Sequence, residues 1–154
     1  MPLVSVFATI LFLAIVVWIG GAITGQIMLA RARDDDVLVV LLVEEVRWLI
    51  TRVYIPSATI AFLSGLGLAI VTGTPLTAWY VAFPLVLYVV LALMGGAYSL
   101  PEYNRLLEAA DQHGIAVVSD PEWNNRLWTT AWLNRVELAL FALAIIGGIV
   151  QIAG

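Results

Sequence analysis

From Pro2 to Ala30 the chain carries no charge; the first charged residue is Arg31. A helix crosses roughly 30 Å of hydrocarbon with about 20 residues. This stretch is long enough to cross with tilt, and a span over about residues 4–30 is expected. A secretory signal is the competing reading. It fits poorly, because the stretch lacks a basic start and far exceeds an apolar core of roughly 7–15 residues.

The same logic places three more spans. No charge occurs from Val53 to Thr72, which predicts a second span at 53–72 with Trp48 and Tyr54 at its headgroup end. Thr72-Gly73-Thr74-Pro75 is a tight turn, and a third span follows at about 76–98, opened by Trp79 and Tyr80 and kinked by Pro84. Leu100-Pro101 reads as its end. The fourth covers about 136–152, entered through Trp123, Trp128 and Trp132 as an aromatic belt. Composition agrees: 62% of the residues are hydrophobic and only 12% charged, where a soluble domain averages roughly 45–50% and about 25%. The expected fold is all-α, a single membrane domain over 1–154 built as a four-transmembrane-helix bundle.

Between the spans lie segments at about 31–52 and 101–135. Asp34, Asp35 and Asp36 suit a helix start. The stretch Val37–Arg52 either lies along the interface as a helix or projects from it. Glu102–Gln112 reads as a short helix stopped by Gly114, and Asp120-Pro121 as the cap and first position of the next. All seven basic residues are Arg: Arg31, Arg33, Arg47, Arg52, Arg105, Arg126 and Arg135. With four spans they fall on one side. The positive-inside rule makes that side the cytoplasm, with both termini outside. The expected location is a bacterial inner membrane.

The chemistry is defined mainly by exclusion. The chain has no Cys and one His, His113. That removes disulfides, thiolates, zinc–thiolate and iron–sulfur sites, and bis-histidine haem ligation within one chain. Met1, Met28 and Met94 make no copper cluster. No cofactor or metal is expected, and no basic patch suits nucleic acid. Neither a nucleophile–base pair nor a phosphate-cradling loop is visible.

Two constellations remain. Arg52, Arg135 and Glu137 stand where hydrocarbon begins, and Glu44, Glu45 and Arg47 are near in sequence. They read as interface anchors and helix-end ion pairs, or else as a polar pocket at the cytoplasmic mouth for a lipid headgroup or small anion. Rows of small residues read as helix packing within the bundle, or as a docking face for another subunit. They include Gly21 and Gly25, then Ala61, Gly65 and Ala69, and finally Gly148. A faint internal echo pairs Gly20-Gly21-Ala22 with Gly95-Gly96-Ala97 and Trp48-Leu49 with Trp132-Leu133. It suggests two hairpins repeated in parallel.

Several short motifs resemble those of an uncharacterised bacterial family of predicted four-span integral membrane proteins. They are Trp18-Ile19-Gly20-Gly21, Arg31-x-Arg33, Ile55-Pro56, Ser64-Gly65-Leu66-Gly67-Leu68, Trp79 and Pro101-x-x-x-Arg105. The resemblance implies four spans and no established activity. The Trp-Ile-Gly-Gly turn is also similar to one in copper-resistance membrane proteins of the CopD type, whose His and Met ligands this chain lacks. The leading expectation is a non-catalytic accessory or scaffold subunit, packing against itself as a homo-oligomer or against other membrane subunits, with lipid around it. The alternative is a small transporter or lipid-binding protein with a cytoplasmic-side polar pocket.

Overall fold

The computed structural model describes the backbone of residues 2–32 and 35–153, and side-chain surroundings for 2–32 and 35–143. Among the described residues the regular structure is entirely helical. It comprises α1 (Pro2–Arg31), α2 (Asp36–Leu49), α3 (Ile55–Thr72), α4 (Trp79–Leu93), α5 (Leu100–His113) and α6 (Pro121–Ala153). A π-helical segment, Ile50–Tyr54, joins α2 to α3 without a break, and a second, Met94–Ser99, joins α4 to α5. The chain therefore forms four long rods: α1, α2–α3, α4–α5 and α6.

Among the described residues, three helices are long and apolar enough to cross a membrane: Pro2–Arg31, Asp36–Thr72 and Trp79–His113. The protein is a multi-pass membrane protein. Residues 37–52 extend the second rod rather than bending along an interface. Likewise Leu100-Pro101 does not end the third helix, which runs on to His113.

Both continuities have one physical cause. Pro56 and Pro101 each follow a π segment by two residues. A proline lacks the N–H donor, and its ring crowds the carbonyl one turn back. Widening the preceding turn to i→i+5 bonding relieves that clash while the helix continues. Accordingly the Ile55 N–H donates to the Ile50 carbonyl, and the Leu100 N–H to the Gly95 carbonyl. The Ser57 hydroxyl donates to the carbonyls of Val53 and Tyr54, covering acceptors that the irregular turn exposes.

The turns follow local chemistry. Gly73 adopts φ 68° and closes α3. Thr74 N–H donates to the Ala69 carbonyl at 2.9 Å and Gly73 N–H to the Ile70 carbonyl at 3.1 Å, the paired bonds of a Schellman ending. The turn then occupies residues 73–78, so the third rod begins at Trp79 rather than Leu76. Asp35 caps α2 by accepting from the Leu38 N–H at 3.1 Å. Asp120 caps α6 by accepting from the Glu122 N–H at 2.9 Å, with Pro121 in first position.

The dense core lies at the charged end, not within the apolar spans. Leu29, Val39, Val43, Val46, Ile50, Tyr103, Leu106, Val118, Leu127 and Ala131 form one buried cluster. Trp123 and Trp128 pack against it, and of the three Trp expected in an aromatic belt only Trp132 is exposed, at 60%. Trp123 and Trp128 lie beside the apolar faces of α2 and α5, whose burial outweighs a headgroup contact.

Candidate functional site: a carboxylate-lined cavity between the rods

A cavity of about 180 Å³ lies between the four rods. The first rod contributes Trp18, Ile19, Ala22 and Gln26. The second contributes Ile50, Tyr54, Ile55 and Ala58, and the third Tyr88, Leu91, Ala92, Gly95, Gly96 and Ser99. The fourth supplies Asn134, Glu137, Leu138 and Phe141. Both π segments thus face this space. A π turn interrupts the regular ladder, widens the helix and is common at functional sites. Gly95 and Gly96 keep the wall back: a Cβ built on either meets nothing within 4 Å.

The walls are mostly apolar and aromatic. The rings of Trp18 and Phe141 pack at a tilt of 46° with centroids 4.1 Å apart. Tyr88 is held by Phe62 at 4.5 Å on one side and by a 3.2 Å hydrogen bond between its hydroxyl and that of Thr59. The Tyr54 ring lies against Gly21, where a Cβ would come within 3.0 Å of it. Any larger residue at position 21 would press on that ring.

One polar network crosses the charged-end margin of the cavity. Ser99 Oγ donates to Asn134 Oδ1 at 2.8 Å, and Asn134 Nδ2 donates to the Tyr103 hydroxyl at 2.9 Å. The Tyr103 side chain is 1% exposed. Asn134 is thus satisfied on both sides by residues of the neighbouring rod. Glu137, one turn further along α6, differs: its Oε1 is buried with no hydrogen-bond partner. Arg135 does not pair with it, since its Nε donates to Gln26 Oε1 at 2.9 Å.

The polar constellation expected from sequence is divided by the fold. Glu44, Glu45, Arg47 and Arg52 line an open recess on the outer side, beside Trp48, Thr51, Leu100 and Asn104. There Arg47 reaches Glu44 at 4.0 Å and Asn104 at 3.4 Å. Glu137 faces the internal cavity instead, and Arg135 stands at Gln26. The proximity of 44–52 to 135–137 in membrane depth did not carry over to lateral proximity.

The small-residue rows act mainly inside the molecule. Gly21 and Gly25 of α1 admit Tyr54, Val53 and Val46, while Gly65 and Gly67 of α3 admit Leu11 and Phe7. Ala61 and Ala69 are buried. Gly148 lies outside the residues whose surroundings are described. The suggested parallel repeat is not mirrored in helix type. The π segments occur in the second and third rods, whereas α6 runs as uninterrupted α-helix.

Away from the cavity, Glu102 organises the charged end. Arg126 reaches it through Nε at 2.9 Å and Nη2 at 3.1 Å, and Arg105 through Nη1 at 2.6 Å. Arg126 also lies over the Trp123 ring, 4.8 Å from its centroid. The hydrogen bond from Arg126 holds the Glu102 carboxyl below its ordinary value; partial burial opposes this, and the nearby charges of Arg126 and Arg105 add to it. His113 is exposed at the end of α5, and no three His, Asp or Glu residues gather into a metal-binding group among the described residues.

Sequence reasoning singled out Glu137 but missed Ser99, Gly95, Gly96 and Tyr54 as its neighbours. The available signal was the pair of prolines, each preceded two to six residues earlier by the residues that form the cavity wall. No protein-family model matches the chain, and neither a curated protein nor a solved structure shows significant similarity to it.

Proposed function

We propose that the chain is a four-span protein of a bacterial cytoplasmic membrane that binds a small lipophilic molecule between its rods. α6 is the fourth span, the charged end faces the cytoplasm, and both termini face out. The observation that carries this reading is the cavity itself. It is framed by two π segments, bordered by Gly95 and Gly96, where a Cβ would meet nothing within 4 Å, and lined by Glu137, whose Oε1 is buried without a hydrogen-bond partner. Binding sites are typically concave and mostly apolar, with a few polar groups that fix orientation. A buried, unsatisfied polar atom costs stability, and a ligand that satisfies it recovers that cost.

Filling the cavity tests the reading. Gly96→Leu places a side chain into open space, so the protein should insert and unfold as before. Native mass spectrometry of gently extracted protein is expected to show a recurring small adduct on the 16.7 kDa chain. The adduct should be missing from Gly96→Leu. An adduct that survives the substitution, or none on the natural chain, sinks the proposal.

A second reading is the accessory subunit, packed against itself or a larger membrane complex. The thin cover over α4 favours it: Phe83, Val86, Val89 and Leu93 are exposed along that helix. Stoichiometric foreign subunits in the same spectra would support this role.

A further inference from the structure

Resting on the cavity reading above, we infer that the ligand's head is an organic ammonium cation, recognised by Glu137 and an aromatic wall. The inventory of polar atoms leads there. Asn134 is committed to Ser99 and Tyr103, Tyr88 to Thr59, and the Gln26 carbonyl oxygen to Arg135. Glu137 also lines the cavity, and its Oε1 is buried without a hydrogen-bond partner among the described residues. None of the residues lining the cavity is Arg or His, and the chain has no Lys.

An anionic head would therefore meet a carboxylate of like charge, with no cationic residue in the lining, in a medium that screens poorly. A cationic head would neutralise that carboxylate. Trp18, Tyr54, Tyr88 and Phe141 line the same space, and aromatic quadrupoles attract positive charge. Size adds a bound. Benzene fits an apolar cavity of about 150 Å³, so about 180 Å³ admits one ring or a short alkyl chain. Neither Arg52 nor Arg135 lines this cavity.

The test is titration calorimetry on the full chain in a maltoside detergent, which carries no ammonium group, at mildly alkaline pH. The probes are hexylammonium, hexanol and hexanoate, which share one alkyl chain. Hexylammonium is expected to bind one per chain, at least about tenfold tighter than hexanol, with hexanoate weakest. Glu137→Gln should weaken hexylammonium by about tenfold or more and leave hexanol unchanged, which also shows that the variant is folded. Hexanol binding without preference for hexylammonium, or an unchanged hexylammonium affinity in Glu137→Gln, overturns the charge assignment and leaves the cavity standing. Equal or tighter binding of hexanoate does the same. Failure of all three probes overturns the binding reading itself. Adding phosphatidylethanolamine to the micelles separates two sources of the ammonium group. Competition there identifies the membrane's own aminolipid, and unchanged affinity identifies a diffusible amine.

Discussion

Asn134 shows how much one side chain decides at the residue scale. It ties the third rod to the fourth through Ser99 and Tyr103. Asn134→Ala would leave the buried Tyr103 hydroxyl without its donor and the Ser99 hydroxyl without its acceptor, at a cost of about 1–3 kcal/mol. Denaturation in mild detergent should register that loss, and an unchanged midpoint would remove the network from the account of stability. Glu102 offers a pH-dependent case. Its folded value is lowered by Arg126 and Arg105, so the folded state binds a proton less readily than the unfolded chain. The stabilisation is fully present above the unfolded value of about 4.3. It is lost as pH falls through the lower folded value. Glu102→Gln should therefore unfold more easily than the natural chain at neutral pH, with the difference vanishing in strong acid. A gap that stays constant across that window would contradict the assignment.

At the element scale the two π segments separate this bundle from four plain rods. Their ladders are irregular and they face a cavity, so their amides should open at lower free energy than those of neighbouring α-helix. Hydrogen–deuterium exchange should find Ile50–Tyr54 and Met94–Ser99 less protected than the middles of α3 and α4 in the same rods. Uniform protection would count against that view. The α3 ending makes a sharper claim. Gly73 sits at φ 68°, where a Cβ costs about 1–2 kcal/mol, so Gly73→Ala should lower the unfolding midpoint although its Cβ would touch nothing within 4 Å. Packing between α1 and α3 depends on Gly67 in another way. A Cβ there would come within 2.6 Å of the Phe7 ring, and Gly67→Leu should separate the two helices. Loss of crosslinking between cysteines placed on α1 and α3 would report it.

For the whole molecule the division of labour runs along the membrane normal. The charged end holds the continuous core and the Glu102 ion-pair network, while much of the apolar surface of α1, α3 and α4 stays exposed for lipid. Four spans would place the 73–78 turn on one side of the membrane and the 114–120 loop on the other. The chain has no native Cys, so single cysteines at Thr77 and Asp111 report cleanly. Membrane-impermeant reagent applied outside should label the first and spare the second. Labelling of both from one side would refute the four-span arrangement.

By itself the sequence determined the class of solvent, the helical type and the caps. Those properties depend on local runs: an uncharged stretch can satisfy its backbone in lipid only as a helix or closed barrel, and Asp35, Gly73 and Asp120-Pro121 act within one turn of themselves. Rod continuity was hidden because a proline reads as a stop unless the turn before it widens, and that widening is held by packing from other rods. The lateral position of Glu137 was hidden for a related reason. Sequence reports depth in the membrane through charge, but which face of α6 turns inward depends on where α1, α3 and α4 stand. Only the assembled bundle separated Glu137 from Arg52 and Arg135, and gave its carboxylate a cavity instead of an ion pair.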